Sequence, residues 1–276
     1  MRWVTSRFDV DLSTPQVMGI VNVTPDSFSD GGRHATTIAA LRHCEQLLED
    51  GAHMLDIGGE STRPGSPAVG LEEELARVLP VVQTAVSLGV PVSVDTYKPE
   101  VMRAVLDMGA DVINDIWALR QGDALAVVAT HPRCGVCLMH MHRDPQTMQT
   151  APMDGDVVAQ VVGFLSQRAS ALTDSGVDEQ RIVLDPGVGF GKTVAQNFSL
   201  LAHQPLLLAL GYPLLAGWSR KSSLGHVTGR AVPAERVSAS VAAALLAVER
   251  GARVVRVHDV RQTVDALKVW QASWPI

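Results

Sequence analysis

Short runs of β-branched and aliphatic residues recur along the chain, each followed by a polar or glycine-rich turn and then a longer segment with apolar residues at helical spacing. The runs fall at 16–22, 54–57, 91–95, 112–116, 136–141, 182–185, 213–217 and 254–257. The segments after them predict helices over 36–50, 71–88, 99–108, 123–130, 154–175, 195–210, 234–250 and 261–270. Start and stop signals agree. Pro99 opens one helix and Gly109 closes it, while acidic residues crowd the first turn of the segment that starts at 71. The short runs are almost continuously apolar, as strands buried on both faces are. Eight strand-then-helix units in order, without a low-complexity linker or composition break, predict an α/β fold: one (β/α)8 TIM-barrel domain over 1–276. An open doubly wound sheet is the competing architecture, and the count of eight favours the barrel. Residues 1–15 precede the first unit and read as a short hairpin or arm.

The strands end on unusual residues. Asn22 ends the first, Asp56 lies in the second and Asp95 ends the third; Asn114 and Asp115 lie in the fourth and His140 in the fifth. Asp185 ends the sixth, Lys221 follows the seventh, and Arg256 and His258 end the eighth. A core strand has little reason to finish on a carboxylate or guanidinium, and in a barrel these ends converge on the face where active sites are built. The most informative stretch is IVLDPGVGFGKT at 182–193, a buried strand running into Asp185 and then into Gly187, Gly189 and Gly191. Glycines there let backbone approach a ligand closely. A flat, donor-rich heterocycle facing Asp185, with Phe190 and Lys221 nearby, satisfies that arrangement.

The polar groups divide by charge. Asp95, Asn114 and Asp185 present acceptors, suited to a guanidine-like edge with several N–H donors. Lys221 adds a cation for a ring carbonyl or nitrogen. Arg63, Arg256 and His258 form an anion-binding group, and Asn22 offers the neutral oxygen that a hydrated Mg²⁺ accepts beside phosphate oxygens. Together they predict a pyrophosphate leaving group next to a nitrogen-rich heterocycle; Asp259, by pairing with a basic member of the group, would make that cluster structural instead. Two loops, VTPDSFSDGG (23–32) and ESTRPGSP (60–67), have the composition of segments that order over a substrate. Phe28 and Pro64 give them apolar surface for an aromatic second substrate.

Charge and cysteine content narrow the field. The net charge of -6 leaves no basic footprint for nucleic acid. The N-terminus lacks a signal-peptide pattern and no apolar run reaches ~18 residues, so a cytoplasmic protein is expected. Cys134 and Cys137 have metal-like spacing near His131, His140 and His142. In a strand over 136–141, however, Cys137 and His140 point to opposite faces, and buried thiols are the expected outcome.

Eight motifs then carry a resemblance. GIVNVTPDSFSDGG (19–32), MLDIGGESTRPG (54–65), VSVDT (92–96), INDI (113–116), MHM (139–141), LDPGVGFGKT (184–193), GWSRKS (217–222) and RVHD (256–259) occur in the order found in the dihydropteroate synthases of the pterin-binding barrel family, which the chain resembles. The resemblance implies condensation of 6-hydroxymethyl-7,8-dihydropterin diphosphate with 4-aminobenzoate, giving 7,8-dihydropteroate and pyrophosphate in folate biosynthesis. It implies that Asp95, Asn114, Asp185 and Lys221 hold the pterin, with Met139 and Phe190 lining its pocket. Asn22 would ligate Mg²⁺, and with Arg63, Arg256 and His258 would hold the diphosphate. Phe28, Thr62, Pro64, Phe190, Lys221 and Ser222 would surround 4-aminobenzoate, with Asp30 ordering the first loop. Asp95, Asp185, Lys221 and Arg256 are the expected catalytic set, and a homodimer the expected assembly.

One departure stands out. After MHM the family commonly continues with a Gln-Gly-like turn, where this chain has His142-Arg143. Two other readings remain at this point: methyl transfer from methyltetrahydrofolate to a corrinoid protein, and a pterin-binding paralogue without turnover. The first has no use for a diphosphate clamp or an SRKS segment. The second would be free to lose loop or anion-binding residues that are all present here.

Overall fold

The computed structural model describes residues 1–24, 32–62 and 65–273, with side chains for all of these except 32–35. Strands β1 (Arg2–Val4) and β2 (Asp9–Asp11) form an antiparallel hairpin, as the leading segment suggested. The repeating units follow: β3 (Gln16–Asn22) and α1 (Gly32–Glu49), β4 (Met54–Gly58) and α2 (Leu71–Ala85), β5 (Val92–Asp95) and α3 (Pro99–Asp107), β6 (Val112–Asp115) and α4 (Ala124–Thr130). The second half runs β7 (Gly135–Met139) and α5 (Val157–Thr173), β8 (Ile182–Asp185) with α6 (Val194–Ala202) and α7 (Gln204–Leu208), β9 (Leu215–Ala216) with α8 (Ser222–Thr228) and α9 (Val237–Glu249), and β10 (Val254–Val257) with α10 (Val260–Ala272). The eight strands β3 to β10 form one parallel sheet in the order β8-β7-β6-β5-β4-β3-β10-β9. A parallel bridge between Leu184 and Leu214 joins its two edges and closes the barrel. This is the (β/α)8 architecture expected from the sequence.

Period-two alternation decides which side chains face in. Val17, Leu55, Val94, Ile113, Leu138, Ile182 and Val255 face outward into the core shared with the helices. Met18, Met54, Val112, Cys137, Val183, Leu215 and Val254 face inward and fill the lower half of the barrel. The hairpin plugs that end: Trp3, Val10 and Leu12 pack against the inward layer, and the Trp3 indole N–H donates to the Arg181 carbonyl at 2.9 Å. A fully buried tryptophan of this kind is worth about 3–5 kcal/mol on truncation.

Several observed boundaries differ from expectation, and four of the differences bear on the fold. The segment 195–210 is two helices, because Pro205 lacks the N–H needed to carry α6 onward and instead lies in the first turn of α7. The strand expected at 136–141 stops at Met139, where the chain leaves the sheet towards β8. The seventh barrel strand is only Leu215–Ala216 plus the Leu214 bridge. A 3-10 turn at Pro233–Arg236 precedes α9, so the helix expected from 234 begins at Val237.

Candidate active site

The upper half of the barrel interior is polar, and one rung organises it. Asn22, Gly58, Asp95 and Asn114 stand opposite one another across β3, β4, β5 and β6. Two residues below Gly58, and therefore on the same face, the fully buried Asp56 receives the Asn114 carboxamide N–H at 3.3 Å and the Arg256 Nε–H at 2.5 Å. Arg256 reaches up from β10 and donates a second bond, from Nη2 to Asp95 Oδ2 at 2.8 Å. One guanidinium thus joins two carboxylates from adjacent strands.

Burial governs the charges here. It pushes the Asp95 carboxyl up to about 7; Arg256 pulls against this, while Asp56 adds to it. Burial likewise raises Asp185, opposed by the Gly187 N–H and by Lys221. For Arg256, burial favours the neutral form, but Asp56 and Asp95 outweigh it and keep the guanidinium charged. A ligand with a row of N–H donors would relieve these carboxylates of the cost of standing ionised in a poorly hydrated site.

The loop after β8 forms a second wall. Gly187 takes φ +67°, and its N–H donates to Asp185 Oδ1 at 2.7 Å. A Cβ at this position would stand 1.9 Å from the His140 carbonyl oxygen, so only glycine fits. Lys192 pins the loop from below, its ammonium donating to the carbonyls of Gly187 (2.8 Å), Phe190 (3.1 Å) and His140 (3.3 Å). Burial lowers Lys192 to about 7, with Asp185 opposing that fall. The loop presents Phe190, which clusters with Ile116, Met139, Met141 and Met148. Apolar faces and acceptor edges therefore meet in one place, as a flat heterocycle requires.

Lys221 and Ser222 sit on a turn secured from both sides. Lys221 caps α8 and Ser222 is the helix's first residue; the Lys221 ammonium lies 4.2 Å from the Phe190 ring centre. The preceding residue, Arg220, has φ +58° and is held by its N–H on Ser240 Oγ at 2.8 Å and by a forked pair with Asp259. Ser219 Oγ and His258 Nδ1 are hydrogen-bonded at 3.0 Å, tying this turn to the end of β10.

The family profile described as "Pterin binding enzyme" matches residues 18–258. The chain belongs to the pterin-binding enzymes. The dihydropteroate synthase of Neisseria meningitidis serogroup B is 51% identical over 275 residues, covering 98% of this chain and 96% of that protein. The Xanthomonas albilineans dihydropteroate synthase, solved with 4-aminobenzoic acid, superposes with a TM-score of 0.91 at 56% identity, covering 97% of this chain and 96% of the other. That of Burkholderia cenocepacia, complexed with 7,8-dihydropteroate, gives 0.89 at 52% identity, covering 98% and 95%.

Of the residues expected in the site, the barrel brings Asn22, Asp95, Asn114, Met139, Asp185 and Arg256 to its inward face, and the Lys221 ammonium lies over the Phe190 ring. Ser222 and His258 flank this end, and Thr62 lies half-buried in the loop after β4. Phe28, Asp30, Arg63 and Pro64 lie outside the described residues. Two other strand-end residues face away. Asp115 accepts the N–H groups of Trp117 and Leu119, bracing the loop after β6, and the His140 ring packs edge-on against Phe164 of α5 at 4.9 Å. Both follow from alternation, being one residue out of phase with Asn114 and Met139.

Among the described residues Asp259 pairs with Arg220, and not with Arg256 or His258 of the expected anion-binding group. Asp56, singled out in its strand but given no role by the sequence, joins the site by pairing with Asn114 and Arg256, and Lys192 joins it without any sequence signal. Asp56 shares the phase of Gly58 and could have been placed inward by parity, whereas nothing in the sequence marks Lys192 as turned into the protein. Cys44, Cys134 and Cys137 are buried free thiols, and among the described residues no group of three or more His, Cys, Asp or Glu could hold a metal ion.

Proposed function

We propose that this pterin-binding enzyme makes 7,8-dihydropteroate by joining 6-hydroxymethyl-7,8-dihydropterin diphosphate to 4-aminobenzoate, with release of pyrophosphate. The observation that carries the reading is the facing of the Asp95–Asn114 rung and Asp185 by the Met139–Phe190 wall, with Lys221 above the ring. That pocket suits a flat heterocycle with a guanidine-like edge. The two molecules bound by the Xanthomonas and Burkholderia relatives, 4-aminobenzoic acid and 7,8-dihydropteroate, are a substrate and a product of this reaction.

Asp95, Asn114 and Asp185 accept the pterin N–H groups, Lys221 donates to its opposite edge, and Met139 and Phe190 line its pocket. The C–O bond to the diphosphate breaks with its electron pair leaving on the phosphate oxygen. The aminobenzoate nitrogen then bonds to the pterin methylene carbon and gives up a proton. No nucleophilic side chain is needed; the residues position both partners and stabilise changing charge. Asp95 and Asp185 favour the cationic pterin, while Arg256, His258 and Arg63 hold the departing anion. Thr62 and Ser222, with Phe28 and Pro64, enclose 4-aminobenzoate, and Asp30 orders the first loop.

Asn22 fits a Mg²⁺ role in a specific way. Asn22 offers a neutral carboxamide oxygen, and among the described residues no group of three or more His, Cys, Asp or Glu could cage an ion, which suits a Mg²⁺ that keeps its waters and takes most ligands from the substrate's phosphates. When bound there, the ion would neutralise charge on the diphosphate. A homodimer is also part of this reading, supported by the exposed apolar residues Leu246 and Val269 on the neighbouring helices α9 and α10. The deciding assay is pyrophosphate release from the dihydropterin diphosphate with Mg²⁺, with and without 4-aminobenzoate. Release matched one-to-one by dihydropteroate supports the reading. Pterin binding without release points to a paralogue lacking turnover, and neither binding nor release overturns the site.

A further inference from the structure

Between the pterin side and the aminobenzoate side lies a network with no place in the reaction as described. The three residues after Asp95 turn towards the loop that follows β4 and the helix α2 that ends it. Thr96 Oγ1 donates to Glu74 Oε1 at 2.7 Å, Tyr97 Oη donates to Glu60 at 3.1 Å, and the Lys98 ammonium bonds to Glu60 and Glu74 together. Glu74, on α2, is almost completely buried, and the Glu60 and Lys98 side chains are 10% and 14% exposed. Burial acts to lower the Lys98 pKa, but its bonds to the two carboxylates outweigh this and hold it above the ordinary lysine value. The loop root is also fixed by Arg77, which donates to the Gly59 carbonyl at 2.7 Å. Gly59 lies so close to α2 that a Cβ there would stand 2.6 Å from Val78.

We propose that Glu60, Lys98 and Glu74 form a positioning clamp that sets Thr62, two residues beyond Glu60, in register with Asp95, three residues before Lys98. The inference rests on the reading of this site as a dihydropteroate synthase. Its basis is covalent distance. Asp95 is committed to the barrel rung, and Thr62 belongs to the loop between β4 and α2, which the Ser61–Ser66 hydroxyl pair at 2.9 Å also helps to hold. A cation shared by two largely buried carboxylates holds both backbones at once, far more firmly than an exposed pair would. The Tyr97 hydroxyl gives Glu60 a second restraint. The clamp therefore acts on the binding of the second substrate and not on the pterin itself. It is a positioning device, since none of the three side chains needs to touch a reacting atom.

The test is steady-state kinetics of the full chain with each substrate varied in turn. Glu60→Gln keeps the size and the Tyr97 partner but removes the charge. Its expected effect is a rise of about tenfold in KM for 4-aminobenzoate, with KM for the dihydropterin diphosphate within twofold and kcat within threefold. Lys98→Arg, which keeps the cation, should behave like the unmodified enzyme. If Glu60→Gln folds poorly, the triple variant Glu60→Gln/Lys98→Met/Glu74→Gln removes the clamp without leaving a lone buried charge, and the same split is expected. An unchanged aminobenzoate KM, or a parallel rise in both KM values, overturns the proposal. Failure of the unmodified chain to make dihydropteroate would instead overturn the functional reading, which the control without substitutions separates from the clamp.

Discussion

The Lys221 ammonium nitrogen lies 4.2 Å from the centre of the Phe190 ring, joining the loop after β8 to the turn after β9. Lys221 is half-buried, and a cation so placed over an aromatic face is worth about 1 kcal/mol. Both residues are assigned to both substrates, so the contact places the two walls of the pocket at one fixed separation. Phe190→Leu is expected to raise both KM values about five- to twentyfold, and Lys221→Met to lower kcat/KM at least a hundredfold. In the double variant the losses should be less than additive by about 1 kcal/mol. Fully additive losses would show that the contact is incidental.

Asp95 makes stability and binding depend on pH in opposite ways. Its carboxyl is raised from 3.8 to about 7 by burial, with Arg256 opposing. Between those values the unfolded chain has released the proton that the folded chain keeps, so the ligand-free protein loses stability as pH rises through this window. Asp115 is likewise pushed up to about 7, so Asp95→Asn should flatten only part of the slope in denaturant titrations from pH 5 to 8. A pterin that donates N–H bonds to Asp95 requires the ionised form. Pterin affinity should therefore fall as pH drops below about 7, by up to tenfold per unit. Calorimetry showing a pH-independent affinity from 6 to 8 would detach Asp95 from the pterin.

The strand ends were legible because a buried strand leaves few explanations for a terminal carboxylate or guanidinium, and Asn22, Asp95, Asn114, Asp185 and Arg256 all lie where that argument put them. Phase was legible too, though it takes one more step. Asp115 and His140 belong to the outward set, and Asp56 to the inward one. What composition could not carry was the fate of long cations. Lys192, Arg220 and Lys98 sit in loops that look solvated, yet each is turned onto a carbonyl or carboxylate of another unit of the barrel: His140, Asp259 and Glu60 respectively. These partners are distant in sequence, and only closure of the barrel brings them near.

Gly187 is the least replaceable residue of the loop after β8. Its positive φ would disfavour alanine even in open space, and the added Cβ would overlap the His140 carbonyl oxygen at 1.9 Å. Relief requires the loop to move away from the turn after β7, which breaks the Lys192 bonds to both segments and withdraws the N–H that Gly187 gives to Asp185. Gly187→Ala should cost about 3 kcal/mol or more of stability and abolish pterin binding. Thermal denaturation and pterin titration check this together, and a variant within 1 °C of the parent that still binds would contradict the packing described.

Arg143 tests the one departure from the family pattern. It has φ +62°, a left-handed conformation that costs a bulky residue roughly 1 kcal/mol and costs glycine little. The family's common glycine at this turn suits that geometry, and the turn is held by the Asp144 carboxylate, which accepts the N–H groups of Gln146 and Thr147 at 2.9 Å each. Arg143→Gly should therefore leave the loop in place and raise stability by about 0.5–1 kcal/mol, less the entropy that glycine adds to the unfolded chain. With His142→Gln added, turnover should stay within about tenfold, or ~1.4 kcal/mol, because neither side chain is among those expected to hold pterin or aminobenzoate. Chemical denaturation and steady-state rates measure the two halves separately. A stabilised variant with collapsed turnover would mean that the strained Arg143 serves the reaction, and that this chain has exchanged backbone ease for a cation at the mouth of its site.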